Sequence, residues 1–155
     1  MNHFCFQVLR NNNDMDVIHT VDKTMENLVK VFPSEVYFQK LLSLLRPNEK
    51  SSIILSSLRI FQKIIPLLDW PAVEYSLPIL MPYLVSSICH SSLAMRKAAV
   101  FVVVEMYFIA GEALLDHLKD LNAAQMKLIT IYINRNEKAS KTVSLAHKEL
   151  SDCLA

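Results

Sequence analysis

The chain has 155 residues, the length of one domain, and its 52% hydrophobic and 20% charged content supports a packed core and excludes disorder. A formal net charge of +1 argues against a general nucleic-acid binder, which carries a clear basic excess. The single glycine, Gly111, excludes every glycine-rich phosphate loop and favours helices joined by short turns over a sheet rich in tight turns.

The opening "MNHFCFQVLRNNN" has too short an apolar run for a secretory signal and no basic start. Residues 1–15 read as a ragged N-terminus, with "NNND" a polar break. Residues 16–32 then place Val17, Val21, Met25, Leu28, Val29 and Phe32 on one helical face. Pro33 stops that helix, and Ser34 is read as the cap of the next, over 34–46. Pro47 ends it, because the residue before a proline is pushed out of the α region.

Asn48 is read as the cap of a helix over 49–65, with Ile53, Leu58, Phe61 and Ile64 inward. Asp69 caps the next helix, over 72–89, with Pro71 tolerated in the first turn. Pro78 and Pro82 inside it predict a break or kink near residues 76–77. The stretch "SSLAMRKAAVFVVVEMYFIAGE" reads as a buried helix, capped by Ser91 or Ser92 and stopped at Gly111. Apolar residues cover it on nearly all sides, as in a helix packed between neighbours. Ala98 to Ala110, interrupted by Glu105, is short of the roughly 20 residues a membrane crossing needs.

A short helix over 112–119 follows. Asn122 with Gln125 resembles a capping box that starts a helix over 123–134. Residues 136–155 are polar with spaced Val143, Ala146, Leu150 and Leu154, a weakly amphipathic helix or tail.

Two units share one layout: a proline, an apolar helix, a short polar turn, and a longer apolar helix. Their prolines, Pro33 and Pro71, stand 38 residues apart, close to the period of about 40 of HEAT-type repeats. The expected fold is therefore all-α, an α-solenoid of antiparallel helix pairs over 16–135.

Chemistry is harder to find. Cys5, Cys89 and Cys153 form no C-x-x-C, the five histidines lack metal-ligand spacing, and no G-x-S-x-G exists. No catalytic residue, metal site or cofactor is expected. The three separated cysteines fit a reducing compartment. Trp70 is read as a core-edge residue in a turn between repeats.

Residues 75–135 carry a more particular pattern. It comprises Leu77-Pro78-x-x-Met81-Pro82, then Arg96-Lys97-Ala98-x-Val100-Phe101, Ile109-x-Gly111-Glu112 and His117-Leu118. Met126-Lys127-Leu128 and Ile131-Tyr132-Ile133-x-Arg135 complete it. This resembles the C-terminal TOG-like, HEAT-repeat domain of the CLASP family of microtubule-associated proteins. Residues 16–74 fit the preceding repeat more loosely.

The resemblance implies a non-enzymatic adaptor in the cytoplasm and on the cytoskeleton, at microtubule plus ends, kinetochores and the spindle. It would recruit plus-end or kinetochore proteins during cell division, contribute to homodimerisation, and insert into no membrane. Tubulin is the second candidate partner, because tubulin-binding TOG domains use the turns within each repeat. The candidate partner-binding residues are Arg96 and Lys97 at the turn into the buried helix, with Lys127 and Arg135 outside the core stripe of the last helix.

Overall fold

The computed structural model describes residues 2–45 and 48–137, and among them there is no strand. Six helices are α1 (Asn2–Asn11), α2 (Met15–Val29), α3 (Ser34–Leu44), α4 (Ser51–Ile64), α5 (Trp70–Ile88) and α6 (Leu93–Ala110). A 3-10 segment, Gly111–Leu118, follows α6, and a last helix, α7, spans 123–137.

The helices pair as α1/α2, α3/α4 and α5/α6, and the pairs stack. One layer holds α1, α3 and α5 in succession; the other holds α2, α4 and α6. The expected all-α solenoid of antiparallel pairs is what forms. A fourth, thinner unit closes the described stack. Here the 3-10 segment runs beside α5, with His117 against Trp70, and α7 lies against α6, with Tyr132 against Phe101. Trp70 is half-buried, packed on the core edge.

The N-terminal stretch is not ragged. Residues 2–11 form α1, which buries Cys5, Phe6 and Leu9 in the common core. The polar break falls after it, at 12–14.

Several starts differ from the sequence reading. Ser34 is the first helical residue of α3, and Pro33 holds the cap position. Asn48 lies in a turn with φ 59°, and Lys50 precedes α4. Asn accepts the left-handed region with little penalty, so it serves the turn and not the cap. Asp69 does cap α5, accepting the Ala72 N–H at 3.1 Å. The Asn122–Gln125 box is reciprocal: each side chain accepts the other's backbone N–H, at 3.0 and 2.9 Å.

Of the break or kink expected in α5, the break is absent: the helix continues through Pro78 and Pro82. Each proline deletes one helical donor. Burial of Leu77, Leu80 and Leu84 against α3 and α6 outweighs those two losses. Buried apolar side chains contribute about 1.5–3 kcal/mol each, and α5 buries Val73 and Ile88 as well, against about 3 kcal/mol for each proline's lost donor and ring clash.

The valine run of α6 is helical and almost wholly buried, from Ala98 through Met106, with Glu105 half-buried and Phe101 half-buried against α7. Counted together with the 3-10 segment, Leu93–Leu118 is long and apolar enough to cross a membrane by length and composition. Packing against α4 and α5 accounts for that character, since Ala99, Val102, Val103 and Val104 are closed off by those neighbours.

Gly111 ends α6 at φ 60° and ψ −138°, a conformation that side chains resist. A Cβ built there meets nothing within 4 Å, so space is not the constraint. Gly111→Ala should therefore cost about 1–3 kcal/mol through backbone strain alone. Thermal unfolding would check it. An unchanged midpoint would show that the turn relaxes freely.

Candidate functional site

The turns inside the pairs line up along one edge: 12–14, 45–50 (of which 46 and 47 are not described), 89–92 and 119–122. Side chains from distant parts of the chain lock this edge. Arg10, at the end of α1, donates to both Glu49 carboxylate oxygens, at 2.6 and 3.3 Å, and to the Leu44 carbonyl at 2.9 Å. Lys50 in turn donates to the Arg10 carbonyl.

His90 sits in the next turn. Its Nδ1 accepts the Ser92 N–H at 3.0 Å, so a neutral ring carries its proton on Nε2, which faces Ser51 Oγ at 3.4 Å. His90 thus ties down the main chain just ahead of α6, while the Ser92 side chain makes no capping bond to the first turn. At the fourth turn, Gln125 donates to Cys89 Sγ at 3.0 Å. Between the second and third turns lies a groove of 600 Å³ with a floor of Ile54, Ile79, Pro82 and Met95. Burial first, and the nearby Glu49 carboxylate second, push the Tyr83 hydroxyl up from its ordinary range.

The four predicted binding residues separate here. Arg96 is half-buried and turned into its own loop, where Nη1 donates to the carbonyls of His90 at 2.8 Å and Ser91 at 2.7 Å. Its guanidinium closes the turn. Reversing its charge would open the start of α6, so Arg96 cannot be probed as a contact without disturbing structure.

Lys97 points outward, its ammonium 5.6 Å from the Phe101 ring centroid. Phe101 meets Tyr132 of α7 edge-on at 5.2 Å. Lys127 and Arg135 are exposed on α7, flanking the exposed Leu128 and Ile131, while Ile129 and Ile133 are buried inward. Lys97 and Lys127 each stand five residues past the start of their helix's cap, Ser92 and Asn122, so they occupy equivalent positions in adjacent helices.

Exposed apolar residues thus stand on both helices, Phe108 (45% exposed) on α6 and Leu128 (38%) and Ile131 (45%) on α7, together with the exposed cations Lys97 on α6 and Lys127 and Arg135 on α7. Glu105 is half-buried on the same helix, and that burial pushes its carboxyl up from the usual range. Among the described residues, no group of three or more His, Cys, Asp or Glu side chains could hold a metal ion. Arg10 and His90 escaped the sequence reading. Arg10 is informative only once α1 is recognised as a helix, and His90 only once the turn geometry exists.

No family model matches the chain. Curated proteins do. CLIP-associating protein 1-B of Xenopus laevis is 29% identical over 92 residues, 59% of this chain. CLIP-associating protein 1 of Xenopus tropicalis matches to the same extent. CLIP-associated protein of Arabidopsis thaliana is 26% identical over 127 residues, 80% of this chain.

The chain is related to the CLIP-associating proteins. Its matches cover only 6% of each frog CLIP-associating protein and 9% of the plant CLIP-associated protein. The relationship therefore concerns one small part of much longer proteins. The 127 residues matched in the plant protein are more than α5, α6 and α7 contain together. The likeness thus extends into the earlier helix pairs, where the sequence pattern was looser.

Proposed function

We propose that this chain is a non-catalytic interaction module of a CLASP-type microtubule regulator. The observation that carries the reading is the outer side of α6 and α7, which no described residue covers, where the cations Lys97, Lys127 and Arg135 accompany exposed Phe108, Leu128 and Ile131. The last described unit of a helical stack presents such a face, and it can accept another chain. Its cations select an acidic partner. Adaptor proteins at microtubule plus ends, kinetochores or the spindle are the partner class, in the cytoplasm and on the cytoskeleton. The relatives' names supply the first one to try, a CLIP.

The variant Lys127→Glu/Arg135→Glu leaves the core untouched and should weaken capture of a purified CLIP by about tenfold, since each exposed charge pair contributes up to roughly 1 kcal/mol. Isothermal titration at two salt concentrations reads this directly. Equal affinity for variant and wild type would sink the proposal.

Direct tubulin binding along the turn edge is the second reading, supported by the groove beside Asn48, Ser51 and His90. The bonds that hold Arg96 inside its turn remove one of the two cations that reading needs. Microtubule co-sedimentation at low salt separates the two readings when Lys97→Glu is compared with Lys127→Glu/Arg135→Glu, because Lys97 stands at the turn edge and the other two cations lie only on α7. Dimerisation through the α6–α7 face is a third use of the same surface, and light scattering over a concentration series distinguishes it.

A further inference from the structure

A second groove lies in the other layer of the stack, between α5 and residues 116–120, with a volume of 490 Å³. Its floor is apolar: Leu77 is buried, Met81 half-buried and Pro78 exposed. Its rim is acidic, with Glu74 on α5 and Asp116 and Asp120 across from it, all exposed. Lys119 is the lysine on that rim, and it is tied to Asp116 at 3.0 Å. Among the described residues, neither Glu74 nor Asp120 has an ion-pair partner.

Three carboxylates thus face one committed ammonium around an apolar trough, in a chain whose net charge is only +1. The backbone adds to this polarity. Pro78 has no N–H, so the Glu74 carbonyl lacks its regular helical donor four residues on. The His117 ring, edge-on to Trp70 at 6.5 Å, holds the far wall in place.

We infer that this groove docks an arginine-containing segment of a partner protein, with an apolar side chain of that segment on the Leu77–Met81 floor. Arginine suits it better than lysine. Its planar fork can engage a carboxylate with two parallel bonds and still donate to a main-chain carbonyl. The inference is independent of the basic α6–α7 face, which has the opposite sign and lies in the other layer. An acidic partner that fits that face is repelled from this groove, so the module would hold two dissimilar partners at once.

The test uses the full chain and a fluorescein-labelled peptide, Gly-Arg-Leu-Ser-Arg-Gly, read by fluorescence anisotropy at low salt. The expected result is saturable binding, about tenfold weaker in Glu74→Gln/Asp120→Asn, from the loss of two exposed charge contacts. Glu35→Gln, an exposed acid on α3, should bind as wild type, and a peptide with Ser in place of Leu should bind more weakly. Circular dichroism melts confirm that each variant is folded.

Wild-type affinity in Glu74→Gln/Asp120→Asn would overturn the inference. So would an equal loss in Glu35→Gln, which would mean non-specific attraction. Undiminished binding of the Ser peptide would remove the apolar floor from the site. A scattering mass above that of the monomer without peptide, lost in Glu74→Gln/Asp120→Asn, would assign the groove to a second copy of the chain instead.

Discussion

Replacing Phe61 by alanine lowers the unfolding free energy by roughly 3–5 kcal/mol. Phe61 is 1% exposed and meets Phe38 edge-on at 5.3 Å, joining α4 to α3 where the two layers touch. Its removal leaves a cavity beside Phe38 in a fully enclosed part of the core, which cannot collapse without moving helices. Phe108→Ala deletes the same atoms from a ring 45% exposed at the end of the stack. It should cost less than about 1 kcal/mol. Denaturant unfolding of the two variants side by side checks the assignment of the core. Equal losses would mean that Phe108 is covered in solution and that the α6–α7 face is not free.

Arg10→Met should cost about 3 kcal/mol, although Arg10 lies on a short and largely polar helix. The Arg10 and Glu49 side chains are 15% and 6% exposed, so the pair is largely withdrawn from water. Methionine keeps the length of the side chain and removes the two bonds to Glu49 and the one to the Leu44 carbonyl. Lys119→Met removes a pair whose members are 74% and 79% exposed, and should change stability by no more than about 1 kcal/mol. Hydrogen exchange gives a second readout: in Arg10→Met, protection should fall in α1 and at the start of α4 before it falls in α6. Uniform loss along the chain would show that Arg10 latches nothing locally.

These two residues mark what was legible in the sequence. Phe61 was assigned inward from spacing alone, because α4 is amphipathic and long enough for its period to show. The α5–α6 pair, the Asp69 cap, the Asn122–Gln125 box and the Gly111 stop were legible for the same reason, since each is fixed by residues within one or two turns. The helix α1 was not. Its buried residues, Cys5, Phe6 and Leu9, sit among Asn2, His3, Gln7, Asn11 and an exposed Phe4, and its strongest polar tie is to a residue 39 positions on.

The caps failed where the turn offered another solution. Asn48 took the left-handed turn position, and at α6 the Ser92 side chain makes no cap bond while His90 holds the Ser92 N–H instead. Arg96 had the residue type and place of a contact. Its partner carbonyls exist only because the turn brings them round, and no sequence pattern records that. The tail, 138–155, lies outside the described residues, as does the expectation of a weakly amphipathic helix there.

The enclosure of α6 has a consequence for how the protein is made. A helix apolar on nearly every side has no stable form of its own in water, and its covers leave the ribosome at different times. The helices α4 and α5 are already out when α6 appears, but the half-buried side around Phe101 waits for Tyr132, 31 residues later. At about 5–20 residues per second, that side stays open for seconds during each round of synthesis. A nascent chain halted before α7 would present the apolar side of α6 around Phe101 to chaperones and to its neighbours on the same message.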